Sequence, residues 1–105
     1  MKKVQLAFHP GIDIAEELEA RWWTQTQFAD VIGISVQALN AIIKWHRNIT
    51  PSLAVRIGAA FWTSAEVWMN MQTEYDIYLA EQKEKSIVLD IYKKLEKKQL
   101  TPVFA

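Results

Sequence analysis

Apolar residues recur along this chain at intervals of three and four, the period at which they share one face of an α-helix. No run alternates apolar and polar residues as a half-buried strand would. Pro, Gly, Ser and Thr divide the pattern into segments of helical length. The predicted helices cover about 10–20, 25–32, 36–44, 51–61, a fifth beginning near 65, and about 86–98, with 81–86 bending or continuing the fifth. We therefore expect an all-α chain of five to six helices.

Helix-start and helix-stop signals are clearest between residues 24 and 51. Thr24 is a natural N-cap with Gln27 at the capping-box position, and Thr50-Pro51 is a cap followed by proline at the first helical position. Gly33 has the backbone freedom to end the second helix, and Ser35 is placed to cap the third. These signals predict two short helices joined by a tight turn.

The third of these helices carries the candidate chemistry. A helix enters the DNA major groove when its exposed side is small or polar and its other side packs on a scaffold. Leu39, Ile42 and Ile43 form the predicted core side. The residues off that stripe are Gln37, Ala38, Asn40, Ala41 and Lys44. From spacing alone the alternative remains open, because capped helix pairs also occur in helical proteins that bind no DNA.

Composition limits the chain to one domain, residues 1–105, and excludes several classes of protein. Its 105 residues, half of them hydrophobic, are enough for one core without disulfides or a metal. There is no cysteine, and His9 and His46 are too far apart for a zinc pattern, so we expect neither metal nor cofactor. No catalytic pair or Gly-rich phosphate loop suggests an enzyme. The apolar start is too short for a signal peptide and no window could span a bilayer, so we expect a cytoplasmic protein without membrane contact.

The distribution of charged residues along the chain is more informative about nucleic-acid binding than the net charge. Twelve basic and twelve acidic residues leave a formal net charge of zero, which argues against nucleic acid. Between Asp30 and Glu66, however, no residue is acidic, whereas Lys44, Arg47 and Arg56 all lie inside that window. One face of a neutral molecule can therefore be positive, and a dimer would double that face.

Four motifs resemble the HigA antitoxin family, also called virulence-associated protein I or plasmid maintenance antidote proteins, within the Xre/lambda-repressor-like helix-turn-helix group. The motifs are His9-Pro10-Gly11, Thr24-Gln25-x-x-Phe28-Ala29 with Ile32-Gly33-Ile34-Ser35, Ile49-Thr50-x-x-x-Ala54, and Trp68-Met69-Asn70-Met71-Gln72. The resemblance covers about residues 8–80. It implies a helix-turn-helix core at about 10–62, followed by a helical extension at about 63–105.

The resemblance also implies a function and its residues. Family members are homodimers that repress their own operon by binding a palindromic operator in double-stranded DNA, and those with an adjacent toxin neutralise a RelE-like toxin. Carried over by position, the DNA-binding residues are Thr24, Gln25, Ser35, Val36, Gln37, Ala38, Asn40, Ala41, Lys44, Arg47 and Thr50. Two alternatives remain open: a solitary Xre-type regulator, and a toxin-binding antidote without operator binding.

The chain departs from the family pattern at several positions. Val36 and Ala41 stand where relatives often carry Arg or Lys, which leaves the operator sequence open. Trp22, Trp45 and Trp62 follow predicted helix ends, where relatives usually turn on glycine. Either these turns take other conformations or burial of the indoles compensates for the strain. Trp45 either covers its turn or, being next to basic residues, lies against the DNA backbone.

Partner contacts are predicted on the last two helices. Trp68, Gln72 and Tyr75 share one face of the fifth helix, either packing in the core, with Tyr75 bonded to Asp76, or touching a partner. The last helix has an apolar stripe formed by Ile87, Ile91 and Leu95. Because an amphipathic stripe needs a cover, we expect dimerisation through one of these two helices.

Overall fold

The computed structural model describes residues 8–100, and this part of the chain contains α-helices and no strand. The helices are α1 (Gly11–Ala20), α2 (Gln25–Ile32), α3 (Val36–Ile43), α4 (Pro51–Phe61), α5 (Ala65–Lys83) and α6 (Lys85–Lys97). The all-α prediction is confirmed, and the predicted boundaries hold to within one or two residues. The stretch at 81–86 breaks the helix: Glu84 alone lies between α5 and α6.

One hydrophobic core joins α1 to α4 with the first half of α5. Ile14 and Leu18 come from α1, and Phe28 of α2 stacks on Phe61 of α4 with ring centroids 4.9 Å apart. The remaining core residues are Ala29, Ile32, Leu39, Ile42, Ile49, Leu53, Ala54, Ile57 and Trp68. This core fixes α2 and α3 at a bend of 111°, which places the two helices as a helix-turn-helix.

The second half of α5 and all of α6 extend away from that core. The principal extents are 58 × 27 × 26 Å, so one axis is about twice as long as the others. The buried residues of α5 are Trp68 and Gln72, both in its first half, and α6 buries no residue. We call residues 77–97 the C-terminal arm, since they contribute nothing to the core.

The three tryptophans that follow helix ends all have left-handed backbones. Trp22, Trp45 and Trp62 have φ values of 57°, 66° and 58°. Trp22 and Trp62 are 92% and 96% exposed, and Trp45 is 39% exposed. The prediction that these turns adopt conformations other than left-handed is therefore wrong. The alternative, that burial of the indole compensates for the backbone strain, does not hold at Trp22 and Trp62.

Candidate nucleic-acid interface

The start of α2 is built by a reciprocal cap. The Thr24 hydroxyl accepts a hydrogen bond from the Gln27 amide at 3.0 Å, and the Gln27 side chain accepts one from the Thr24 amide at 2.9 Å. This capping box satisfies one backbone donor at each end of the first turn. Gln25 and Thr26 are the first residues of α2, so helix geometry places their amides at the positive end of the helix dipole, where an anion is favoured.

A side chain of α4 stabilises the turn between α2 and α3. Gly33 has a φ of 74°, and the Ser35 hydroxyl accepts from the Ala38 amide at 3.1 Å to begin α3. The Arg56 guanidinium donates to the carbonyl oxygens of Ile32 and Gly33 at 3.0 and 3.3 Å. Arg56 therefore caps the end of α2, and its charge, counted above toward a positive face, is committed to that turn.

Helix α3 presents its predicted contact side away from the core. Leu39 and Ile42 are buried, while Ser35 and Gln37 are exposed. The half-buried residues of this side are Val36, Ala38, Asn40 and Ala41. Val36 packs partly against the core, so only part of its surface faces outward. The other predicted DNA-binding residues also avoid burial: Thr24, Lys44, Arg47 and Thr50 are exposed, and Gln25 is half-buried.

A hydrogen bond joins the two helices at this surface. The Asn40 amide nitrogen donates to the Gln25 side-chain oxygen at 3.2 Å, across a separation of 15 residues. Gln25 stands at the first position of α2, so the bond ties the helix start to the exposed side of α3. The Gln25 nitrogen and the Asn40 oxygen are then oriented by each other, which reduces the side-chain entropy lost when either binds a ligand.

The loop from α3 to α4 carries two exposed basic residues next to the end of α3. Lys44 and Arg47 are exposed, and the Thr50 hydroxyl caps α4 by accepting from the Leu53 amide at 3.2 Å. Ile49 anchors the loop, because its side chain is buried and its amide donates to the Gln72 side-chain oxygen at 2.9 Å. A buried residue of α5 thus positions the basic loop.

His9 supports the same loop from the N-terminal side. The imidazole is fully buried, its Nδ1 accepts from the Gly11 amide at 3.0 Å, and its ring stacks on Trp45 at 6.0 Å. Tyr75 meets the His9 ring edge-on at 5.2 Å. Within residues 8–100, His9 Nε2 has no hydrogen-bond partner. These contacts place the start of α1, the end of α3 and the middle of α5 in one cluster.

Burial lowers the pKa of His9 below its usual 6.5. The Asn48 side chain, the Arg47 backbone and the Asp76 carboxylate favour the protonated ring, but they do not outweigh the loss of solvation. His9 is therefore neutral at physiological pH. The sequence places His9 in the His9-Pro10-Gly11 motif and too far from His46 for a zinc pattern. Nothing in the spacing indicates that position 9 meets positions 45 and 75.

The predicted partner contacts divide into buried and exposed residues. Trp68 and Gln72 are 3% and 2% exposed, and Trp68 donates its indole N–H to the Thr63 hydroxyl at 2.7 Å. Burial corrects their assignment as partner contacts, because neither side chain reaches the surface. Gln72 rather than Tyr75 bonds Asp76, at 2.9 Å. Tyr75 is half-buried against His9, whereas Ile87 and Ile91 are exposed on α6 with Leu95 half-exposed beside them.

Residues 8–100 contain no group of three or more His, Cys, Asp or Glu side chains placed to hold a metal ion. No single helix in the same part of the chain has both the length and the apolar composition needed to cross a membrane.

Known proteins share this architecture. The Helix-turn-helix family model matches residues 14–67. Virulence-associated protein I of Dichelobacter nodosus is 37% identical over 82 residues, 77% of this chain and 76% of that protein. A HigA-family addiction module antidote protein from Coxiella burnetii is 34% identical with a TM-score of 0.74, covering 94% of this chain and all of that one.

A third relative was solved together with DNA. The Pseudomonas aeruginosa antitoxin HigA with the higBA promoter is 30% identical with a TM-score of 0.75, over 79% of this chain and 91% of that one. The family match, the identities and the shared helix-turn-helix agree, and the chain belongs to the HigA antitoxin family of helix-turn-helix proteins.

Proposed function

We propose that this chain binds, as a dimer, a palindromic operator upstream of its own operon and represses transcription of that operon. The protein acts in the cytoplasm, where that DNA lies. The observation that carries the proposal is the Asn40–Gln25 hydrogen bond, which joins the helix start suited to a phosphate with the helix suited to base edges. The Pseudomonas aeruginosa antitoxin HigA was solved with the higBA promoter, and this likeness supports DNA binding by the present chain.

Each predicted residue has a role that its position supports. Gln37 and Asn40 can hydrogen-bond base edges, and the methyl groups of Ala38 and Ala41 can contact thymine methyls. The exposed start of α2, the Lys44 and Arg47 side chains and the capped start of α4 can hold phosphates on either side of α3. Two copies are needed, because a two-fold symmetric operator presents the same half-site twice.

Fluorescence anisotropy with labelled DNA from upstream of the operon tests the proposal. We expect binding that weakens as salt rises, less steeply than for a strongly basic protein because the net charge is zero. Asn40→Ala should weaken specific binding by about 5- to 150-fold, the range for one good base contact. Asn70→Ala, an exposed asparagine on α5, is the matched control and should bind as the unaltered chain does. Absence of binding at low salt would favour an antidote that does not bind the operator.

We further propose that the chain neutralises a RelE-like toxin encoded beside it. The likeness to antidote proteins supports this activity. Co-expression with the neighbouring small basic reading frame should restore growth, and Asn40→Ala should restore it equally, since α3 serves DNA. Failure of the unaltered chain to restore growth, or absence of such a frame, would favour a solitary regulator.

A further inference from the structure

Five helix ends in this chain use one turn. After α1, α2, α3 and α4 an amide donates to the carbonyl five residues earlier: Trp23 to Leu18 at 3.0 Å, Ile34 to Ala29 at 3.0 Å, His46 to Ala41 at 2.8 Å, and Thr63 to Gly58 at 2.9 Å. A fifth such bond, from Leu100 to Leu95 at 2.8 Å, follows α6. This bond defines the Schellman motif, in which the residue before the donor takes the left-handed conformation that favours glycine. The turn after α2 has Gly33 at that position, with φ 74°.

The turns after α1, α3 and α4 have tryptophan at the equivalent position, with φ between 57° and 66°. The turn after α6 has Gln99 there, with φ 54°. Tryptophan strains this conformation because its Cβ crowds the following carbonyl. Trp22 and Trp62 recover nothing by burial, since their indoles are 92% and 96% exposed. The backbone at residues 22, 45 and 62 is therefore built as it is at Gly33, and two of the three side chains have no packing role.

The remaining tryptophans behave differently. Trp23 stacks on Phe28 and Phe61, at 6.2 and 6.0 Å between ring centroids, and Trp68 is 3% exposed. Neither has a positive φ. The five tryptophans thus form two classes by backbone conformation, three left-handed and two not. Among the left-handed ones, Trp45 also packs, on His9 and Tyr75. Composition agrees: the chain has three glycines, and roughly seven are expected at the average usage of about 7%.

We infer that residues 22, 45 and 62 are glycine in the protein made by its own cell, specified by a shared codon, UGA, whose meaning differs between genetic codes. UGA is read as tryptophan in some codes and as glycine in others, whereas UGG is read as tryptophan. One codon at the three turns and another at Trp23 and Trp68 accounts for the two classes. Three independent substitutions to the bulkiest side chain, each at a left-handed turn, would require three separate explanations.

Glycine at position 45 would change the candidate nucleic-acid interface. Trp45 lies between Lys44 and His46, at the end of α3. Glycine at that position would remove the largest side chain from the basic loop and let a phosphate approach its backbone. It would also remove the ring that stacks on His9, so the burial of His9 described above belongs to the chain with Trp45. Glycine at positions 22 and 62 would remove the two most exposed indoles from the turns after α1 and α4 and leave Trp23, 39% exposed, as the tryptophan there.

Sequencing the gene and peptide mass spectrometry of the protein from its own cells test the inference together. We expect UGA at codons 22, 45 and 62, UGG at codons 23 and 68, and peptides with glycine at the three turns. UGG at all five codons, or tryptophan in the native peptides at the turns, would overturn it. In that case the exposed indoles of Trp22 and Trp62 would be genuine and would mark a partner-docking surface.

A stability measurement tests the structural half separately. Trp22→Gly and Trp62→Gly, made singly in the chain that has tryptophan at all three turns, should each raise the melting temperature. Each substitution relieves backbone strain and loses no buried contact. Trp23→Gly and Trp68→Gly are the matched controls and should lower it. A lower melting temperature in both turn variants would contradict the claim that the backbone there is built for glycine.

Discussion

His9 is a buried histidine whose pKa is lowered by the fold. Its ring is buried between Trp45 and Tyr75, and burial lowers its pKa from 6.5. The unfolded chain, with an ordinary histidine pKa, then binds a proton more readily than the folded chain does. The contribution of neutral His9 to the free energy of unfolding is therefore complete above pH 6.5, and it decreases as the pH falls below that value.

The pH dependence of thermal unfolding checks this account. The melting temperature should fall by a few degrees more, between pH 7.5 and 5.5, in the unaltered chain than in His9→Asn, where the amide can still accept from Gly11. His46→Asn removes an exposed histidine and should retain the full acid sensitivity. Equal acid sensitivity in His9→Asn and the unaltered chain would show that His9 is not the responsible group.

Gln72 is the residue that joins the core to the basic loop. Its side-chain oxygen accepts from the Ile49 amide, and its nitrogen donates to Asp76. Gln72→Ala leaves a buried amide without a partner, which costs about 1–3 kcal/mol of unfolding free energy. Urea denaturation measures the loss, with the exposed Gln82→Ala as control, expected within about 0.5 kcal/mol of the unaltered chain. A loss below that level in Gln72→Ala would mean that the loop is held by Ile49 packing alone.

Among the helices, α6 is the one left without a cover. It contacts α5 but buries no residue, and its apolar stripe is exposed along the C-terminal arm. A second copy of the chain can cover this stripe, because two-fold pairing places the same face on both subunits. We therefore expect the C-terminal arm to form the dimer interface.

Sedimentation equilibrium of two glutamine variants tests this interface. Ile91→Gln should weaken dimerisation about 10-fold or more, since each isoleucine contributes roughly 1.5–3 kcal/mol when buried and the interface uses it twice. Lys93→Gln changes the polar side of the same helix and should leave the dissociation constant unchanged. Equal dimerisation of the two variants would place the interface elsewhere.

The sequence predicted the elements of this fold better than the contacts between them. Caps such as Thr24, Ser35 and Thr50 act within three residues, so the helices they begin were predictable from local pattern alone. The Gln72–Ile49 and Arg56–Ile32 bonds join residues 23 and 24 positions apart, and no period along the chain indicates them. Local rules also miss that Asn40 is held by Gln25, which only the packing angle of α2 and α3 brings together.

At the scale of the whole molecule, the charge distribution and the shape are consistent with a DNA-binding helix-turn-helix and a separate C-terminal arm. A net charge of zero is compatible with DNA binding because the acids lie outside the stretch between Asp30 and Glu66. The helix-turn-helix occupies the compact end of a 58 Å molecule, and the C-terminal arm extends from it. Because α3 lies outside the C-terminal arm, we expect a dimer joined through the arm to leave both α3 helices uncovered.

Hydroxyl-radical footprinting on the DNA upstream of the operon tests the central claim, that α3 reads a two-fold operator in a dimer. We expect two equivalent protected half-sites centred about one helical turn, roughly 34 Å, apart. Gln37→Ala should abolish the sequence preference, while Arg47→Ala should weaken protection evenly across sequences. Protection with no preferred sequence in the unaltered chain, or a pattern unchanged by Gln37→Ala, would contradict the claim.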